Sequence, residues 1–196
     1  MNIYAFIPAR GGSKRLKHKN ILPIAGKPSI VWTIEAALKS KYINKKNLFV
    51  SSEDDKILSI AVEYTSIIRR PNYLSKDDVI TNPVIKHAIR WLKYSKKIDI
   101  KDDDIVVILQ ANSPEIQSDM IDFLIDYVIE NKLGQAHTVD KNMINNGAIH
   151  VITIKELYEY GKVSYNGVVV YHIIDVHGMD DLKQVEYKLK QRQEQI

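Results

Sequence analysis

The chain has 196 residues, of which 45% are hydrophobic, and it carries a formal net charge of +4 with no cysteine. This length and composition are typical of one globular domain with a sizeable core. The lack of cysteine excludes disulfides, thiolate metal sites and cysteine nucleophiles. Because no apolar run is long enough for a membrane span and the N-terminus lacks the order of a signal peptide, we expect a cytoplasmic protein without membrane association.

The first predicted strand and the loop after it give the clearest indication of a ligand-binding site in the sequence. The apolar run 3–7 predicts a buried strand that Pro8 ends, because proline has no amide hydrogen to donate. Gly11 and Gly12 then let the backbone turn and approach a ligand closely. Six basic side chains crowd this loop: Arg10, Lys14, Arg15, Lys17, His18 and Lys19. The loop suits a polyanion such as a nucleoside triphosphate, with a solvated basic face or a nucleic-acid patch as alternatives.

Strands and helices alternate along the chain. The predicted strands cover residues 3–7, 48–50, 66–69, 104–109, 135–139, 148–154 and 167–174. The predicted helices run from Pro28 to 38, over 53–64, from Thr81 or Asn82 to 92, over 118–131, over 155–160 and over 179–191. Thr81 or Asn82 and Ser118 are the expected N-caps. This alternation predicts a single α/β domain over residues 1–196 with a doubly wound, mostly parallel sheet.

Two later strand ends also carry polar side chains suited to chemistry. The amides and hydroxyl of residues 110–113 can contact a base or a sugar, although an ordinary turn explains them equally well. Asp175 and His177 lie two positions apart, so on an extended strand end their side chains share a face and can bind one divalent cation. The alternative for this stretch is a helix start near Gly178 and Asp180. The small net charge favours an anionic small ligand over nucleic acid.

Six segments, taken in order, give the chain a family likeness. They are IPARGGSKRLKHKNILPIAGKPSIVWTIEAALKS (7–40), FVSSEDDKI (49–57), RRPNYLSKDD (69–78), LQANSP (109–114), NNGAIHVI (145–152) and DVHGMDDLKQVE (175–186). Together they resemble the acylneuraminate cytidylyltransferases, the family of CMP-sialic acid and CMP-Kdo synthetases. The resemblance implies a Rossmann-like sheet sandwich of the nucleotide-diphospho-sugar transferase type.

The resemblance also implies a reaction and its residues. In the family, the anomeric hydroxyl of a 2-keto sugar acid attacks the α-phosphate of CTP with Mg²⁺, giving the CMP-sugar and pyrophosphate. Matched to catalytic positions are Arg10, Lys14, Lys19 and Asp175. Matched to the nucleotide site are Ala9, Arg10, Gly11, Gly12, Ser13, Lys14, Lys19, Asn20 and Thr81. Matched to the acceptor site are Gln110, Asn112 and Asn146, and to the metal site Asp175 and His177.

Three features of the sequence depart from the family pattern. His177 stands where the family has aspartate, and because imidazole is a poorer ligand for Mg²⁺, the metal preference can shift toward Mn²⁺. The family's LQPTSP is LQANSP here, which alters the acceptor side. The arm that supplies dimer contacts and sugar-binding arginines is shortened near residues 140–146, so the family-type dimer is not expected and the oligomeric state stays open. Three alternatives remain: a nucleotide-binding homologue impaired in catalysis, a nucleotidyltransferase with another acceptor, and a nucleic-acid binder.

Overall fold

A computed structural model describes residues 1–159 and 165–194 of the chain. The strands in these ranges are β1 (Ile3–Pro8), β2 (Pro23–Ile24), β3 (Lys27–Pro28), β4 (Leu48–Ser52), β5 (Ser66–Arg69), β6 (Ile105–Leu109), β7 (Gln135–Val139), β8 (Asn145–Thr153) and β9 (Asn166–Val170). The helices are α1 (Ser29–Leu38), α2 (Asp55–Ala61), α3 (Thr81–Ser95), α4 (Ser118–Glu130), α5 (Ile154–Tyr158) and α6 (Met179–Glu194).

One sheet of seven strands forms the centre of the fold, in the order β5-β4-β1-β6-β8-β7-β9, and β2 and β3 form a separate hairpin. The pairs on the β5 side are parallel, as is the pair β7–β9, whereas β8 is antiparallel to both of its neighbours. The mostly parallel sheet is therefore confirmed. β8 is the exception because only residues 140–144 connect it to β7, and so short a link joins antiparallel strands.

The alternation of side chains along the strands builds a core on each face of the sheet. In β1, Ala5 and Ile7 face one core, whereas Tyr4 and Phe6 face the other. Helices α1, α2 and α4 cover the first core, and α3 and α5 cover the second. Helix α6 packs Leu182, Val185 and Leu189 into a smaller cluster with the β2–β3 hairpin. None of the helices in the described ranges combines the length and apolarity needed to cross a bilayer.

Several predicted element boundaries were wrong by one or a few residues. Pro8 belongs to β1 and lies opposite Ser51, since the ladder continues past it through a hydrogen bond from the Ala9 amide to the Ser51 carbonyl (2.9 Å). Pro28 precedes helix α1 instead of starting it, because its ψ of 139° is extended. The last predicted strand ends at Val170, and residues 171–178 form an irregular loop.

The predicted helix caps also need correction. Thr81 and Ser118 are the first helical residues, and the extended N-cap residues are Ile80 and Gln117, without side-chain caps. By contrast Asp54, which the sequence had placed inside a helix beginning at residue 53, caps α2 by accepting from the amides of residues 56 and 57. Residue 160, the predicted end of the fifth helix, lies outside the described residues.

The parallel strands deliver their loops to a single edge of the sheet. The residues after β1, β4, β5 and β6 meet there, as do the ends of β7 and β9 and the start of the antiparallel β8. In open α/β sheets this carboxyl edge is where ligands bind. The basic loop after β1 lies near its middle.

Candidate active site

A cleft of about 230 Å³ opens at this edge, between the loop after β1 and the start of α3. Its walls combine cations, amides and a short apolar surface. The lining residues are Pro8, Arg10, Lys19, Asn20, Arg70, Asp77, Val79, Ile80, Thr81, Val84, Gln110 and Asn112. The sequence had assigned six of these to nucleotide or acceptor: Arg10, Lys19, Asn20, Thr81, Gln110 and Asn112.

Asn20 closes the basic loop on itself. It is 4% exposed, and its Nδ2 donates to the carbonyl of Arg10 (2.9 Å), so the loop forms a ring at the end of β1. Its Oδ1 is buried and accepts no hydrogen bond from the described residues. A buried acceptor without a donor costs about 1–3 kcal/mol, so this oxygen is suited to a hydroxyl of a ligand.

The backbone of the loop is partly committed within the protein. The Ala9 amide donates to the Ser51 carbonyl, and the Gly11 amide donates to Oε1 of Glu53 (2.8 Å). These two amides therefore face the protein rather than a ligand. Around Gly12, in contrast, a Cβ would meet no atom within 4 Å, so this is where the backbone has open space for a ligand.

The outer mouth of the cleft consists of Arg10, Lys14 and Asp77. Both cations pair with the same carboxylate, each at 2.5 Å, and the side chains of Lys14 and Asp77 are 82% and 43% exposed. The hydrogen bonds from Lys14 and then Arg10 lower the pKa of Asp77. A shallow depression of about 360 Å³ continues outward from here and is lined by Arg10, Ser13, Lys14, Arg15, Lys19, Asp77 and His177.

We use the term inner cleft for Lys19 and Asn20, which line the cleft, together with Asp175, whose charge acts on Lys19. Burial lowers the pKa of Lys19, an effect opposed by the charge of Asp175. Burial likewise raises the pKa of Asp175, against a hydrogen bond from Ser113 and the charges of His177 and Lys19, which lower it. Each of these groups therefore holds its charge at a cost that a counter-charged ligand would relieve.

Asp175 is held in place by the backbone on both sides of it. The Ile174 amide donates to Glu115 (2.8 Å), which also pairs with Lys188 of α6. The Val176 amide donates to the carbonyl of Asn112 (2.9 Å). The loop after β9 is thus fixed to the loop after β6, and the Asp175 carboxylate lies within electrostatic reach of Lys19.

His177 lies next to Asp175, although both are in an irregular loop and not on the extended strand end from which their pairing was predicted. Its Nε2 is 4.0 Å from Oδ2 of Asp175, and its side chain is 51% exposed. Within the described residues, no group of three or more His, Cys, Asp or Glu side chains could hold a metal ion by itself.

Asn146 does not line the cleft. Its Oδ1 accepts from Thr138 (2.6 Å) and the Ala148 amide, while its Nδ2 donates to the Tyr171 carbonyl (2.9 Å). The side chain thus connects β7, β8 and the loop after β9. It lies at the same edge of the sheet, and its contact with an acceptor stays a prediction.

Three polar residues of the site received no role from the sequence: Glu53, Arg70 and Asp77. They lie in the segments 49–57 and 69–78, which carry the family likeness. A usable signal was available, because all three follow the parallel strands β4 and β5, whose ends share the edge with β1.

A basic, glycine-containing loop at the carboxyl edge of a mostly parallel sheet is the arrangement in which open α/β proteins bind anionic ligands. A family model for cytidylyltransferases matches residues 4–151. The chain therefore belongs to the cytidylyltransferase family, and its similarity is to the acylneuraminate branch. A pseudaminic acid cytidylyltransferase from Campylobacter jejuni is 34% identical over 135 residues, which cover 67% of this chain and 55% of that protein.

A second relative and a solved structure extend the match. A CMP-N,N'-diacetyllegionaminic acid synthase from Legionella pneumophila is 39% identical over 116 residues, 58% of this chain and 47% of that protein. The fold matches a CMP:2-keto-3-deoxy-manno-octonic acid synthetase complexed with CTP, with a TM-score of 0.76 at 16% identity, over 98% of this chain and 100% of that one. The Rossmann-like fold is confirmed. The chain spans about half the length of these two curated relatives.

Proposed function

We propose that this protein binds CTP at the carboxyl edge of its sheet and transfers CMP to an acidic 2-keto sugar, releasing pyrophosphate. The observation that carries the proposal is the convergence of Arg10, Lys14 and Lys19 on two adjoining pockets at this edge, with the Asp175 carboxylate close enough to Lys19 to oppose the lowering of its pKa. Membership in the cytidylyltransferase family supports the choice of nucleotide.

The nucleotide roles follow from charge and position. Arg10, Lys14 and Lys19 hold the triphosphate, with Ser13 and the open backbone at Gly12 beside it. The buried Oδ1 of Asn20 accepts a hydrogen bond from a ribose hydroxyl. Thr81, at the first turn of α3, contacts the cytidine across the cleft. Phosphoryl transfer depends mainly on such positioning and on neutralising charge.

Asp175 is the principal ligand for Mg²⁺ or Mn²⁺, and His177 is a weaker second one. Once bound, the cation supplies positive charge to the triphosphate and to the departing pyrophosphate. Because Asp175 comes from the loop after β9 and the cationic side chains from the loop after β1, the two loops hold the triphosphate between them. Loss of Asp175 removes the carboxylate whose charge opposes the lowering of the Lys19 pKa.

The reaction needs one bond formed and one broken. The acceptor's anomeric oxygen bonds to the α-phosphorus, the bond from that phosphorus to the α,β-bridging oxygen breaks, and pyrophosphate leaves. The hydroxyl proton passes to solvent. The residues of this chain act by orienting the triphosphate and by neutralising the charge that develops on the bridging oxygen, for which Arg10 and Lys19 are positioned.

The acceptor is assigned to the side of the cleft formed by Gln110 and Asn112. Two relatives are named for pseudaminic acid and for legionaminic acid, which supports an acceptor of the nonulosonic type. The hairpin between β7 and β8 turns tightly on Asp140, whose Oδ1 accepts from the amides of residues 142 and 144. This turn leaves room for few acceptor contacts from the hairpin, so we assign a smaller set of sugar contacts than an extended arm would give.

A second candidate is a nucleotide-binding protein that does not transfer CMP. It is favoured by the tight hairpin and by the exposed His177 at the second metal position. The experiment that separates the two is pyrophosphate release from CTP, UTP or ATP with Mg²⁺ or Mn²⁺. The acceptors would be N-acetylneuraminic, pseudaminic and legionaminic acids and Kdo. Release with CTP and one of these acids supports the transferase; CTP binding without release from any acceptor supports the second candidate.

A further inference from the structure

A carboxylate behind the nucleotide loop is bound by groups from three neighbouring segments. Oε1 of Glu53 accepts from the Gly11 amide (2.8 Å). Oε2 accepts from Nε and Nη2 of Arg70 (3.1 and 3.0 Å) and from the hydroxyl of Ser75 (2.6 Å). The side chains of Glu53 and Arg70 are only 16% and 4% exposed. We call Glu53, Arg70 and Ser75 the brace.

The brace connects the ends of the three strands on this side of the sheet. Gly11 follows β1, Glu53 follows β4 and Arg70 follows β5, while Ser75 ends the short 3₁₀ helix Asn72–Ser75. Although burial raises the pKa of Glu53, hydrogen bonds from Ser75 and from backbone amides, with the charge of Arg70, produce a net lowering. The carboxylate is therefore anionic at neutral pH, where its hydrogen bonds are charge-assisted and strong.

A neighbouring ion pair shows what an ordinary surface contact looks like at this edge. Asp55 pairs with Arg69, one residue away from Arg70, but these two side chains are 85% and 59% exposed. In the described structure that pair makes no hydrogen bond to the basic loop, whereas the brace bonds directly to Gly11. Exposed pairs of this kind contribute little, so Asp55 provides a matched control.

The space around Gly11 shows how tightly the loop lies against this support. A Cβ built on Gly11 would lie 2.2 Å from Oδ2 of Asp54, whereas a Cβ on Gly12 would meet nothing within 4 Å. Two adjacent glycines thus differ completely in their freedom to gain a side chain. Gly11 is pressed against the loop after β4, and Gly12 faces open space.

We infer that Glu53, backed by Arg70 and Ser75, is a positioning residue for the nucleotide site. By fixing the Gly11 amide on the protein side of the loop, it orients the adjacent Arg10 toward the cleft before any ligand binds. Preorganisation of this kind lowers the free energy spent on ordering the loop at binding. The inference rests on the proposed function, because it assigns the loop a triphosphate to receive.

The test compares Glu53→Gln with Asp55→Asn in the full chain. We expect Glu53→Gln to raise the KM for CTP by about tenfold with little change in kcat, because loop ordering precedes chemistry. Hydrogen exchange of the Gly11 amide, measured by NMR without nucleotide, should accelerate by at least about tenfold. Asp55→Asn should change neither quantity.

A second pair of variants covers the case in which Glu53→Gln leaves Arg70 unpaired and fails to fold. Gly11→Ala keeps the ion pair but forces the loop away from Asp54, and we expect the same rise in KM; Gly12→Ala should retain normal Gly11 exchange. The inference would be overturned if folded Glu53→Gln kept the wild-type KM and the wild-type exchange rate of the Gly11 amide. It would also be overturned if Gly11→Ala kept the wild-type KM and the wild-type exchange rate of the amide at position 11. A wild-type chain that binds no CTP would instead overturn the proposed function, and the exchange measurement would still decide on the brace.

Discussion

The two parts of the cleft handle their charges in opposite ways. In the outer mouth, Arg10 and Lys14 share Asp77 at the surface, so the free protein already neutralises much of their charge. In the inner cleft, Lys19 and Asp175 are partly buried, and this burial shifts the pKa of each toward its neutral form. From this difference we expect the outer mouth to attract and exchange anions and the inner cleft to bind a triphosphate together with a cation.

The strongest test of this contrast is Asp175→Asn. Removing the carboxylate should lower kcat by about 10²–10³, the range for losing one charged group that stabilises the transition state. Steady-state turnover with saturating CTP and Mg²⁺ measures the change. Asp180→Asn, an exposed carboxylate at the start of α6, is the control and should keep normal turnover. Wild-type turnover in Asp175→Asn would contradict a role for Asp175, and with it for the inner cleft, in the reaction.

The next effect in size is expected from Lys19→Gln. Because Lys19 is partly buried and is proposed to bind the triphosphate, its loss should reduce kcat/KM for CTP by about 10²-fold, whereas exposed Lys17→Gln should have little effect. Burial lowers the pKa of Lys19, so its charge is lost at a lower pH than that of an ordinary lysine. CTP affinity should accordingly fall on the alkaline side in the wild type, and the fall should be absent in Lys19→Gln. Equal effects at positions 17 and 19 would contradict the distinction between inner and outer cations.

Asp77→Asn should act in the opposite direction. Without its carboxylate, Arg10 and Lys14 no longer have to exchange a protein partner for the ligand, so CTP should bind about two- to fivefold more tightly at low salt. Isothermal titration calorimetry at two salt concentrations measures the effect, with exposed Asp78→Asn as the control. Weaker CTP binding in Asp77→Asn would show that Asp77 supports the site instead of competing for it.

The smallest expected effect concerns the pH profile. The Ser113 hydroxyl donates to Asp175 and lowers the pKa of a carboxyl that burial raises. In Ser113→Ala that pKa should rise further, so metal-dependent turnover should begin to fall at a higher pH on acidification, by up to about one pH unit. Ser118→Ala on α4 provides the control. If turnover in Ser113→Ala fell at the same acidic pH as in the wild type, protonation of Asp175 would not be the cause of that fall.

The sequence predicted the fold well wherever the side-chain pattern was continuous. The apolar runs 3–7 and 104–109 correspond to β1 and β6, and the family likeness predicted their arrangement in a Rossmann-like sheet. The antiparallel direction of β8 and the caps of α3 and α4 were not predicted. These features depend on the length of one turn and on the backbone angles of single residues, for which residue type is a weak guide.

The site was predictable to the extent that residues near each other in the chain also meet in space. The run of basic residues in one short loop singled out Arg10 and Lys19, and the family likeness added Asn20 from the same loop; all three line one cleft. Glu53 and Arg70 were missed because their partners follow other strands. In the sequence, the runs Glu-Asp-Asp (53–55) and Arg-Arg (69–70) look like ordinary surface charge. Asn146 was assigned to the acceptor, yet its side chain is engaged by β7 and by the loop after β9.

The role of Asp175 as the metal ligand of the nucleotide site is tested most directly by calorimetry. CTP binding would be measured without acceptor, with and without Mg²⁺, in the wild type and in Asp175→Asn. If Asp175 holds the ion against the phosphates, Mg²⁺ should tighten CTP binding by at least about tenfold in the wild type. The same ion should give little gain in the variant. CTP binding that is equally strong with and without Mg²⁺ in both proteins would contradict the assignment of the inner cleft.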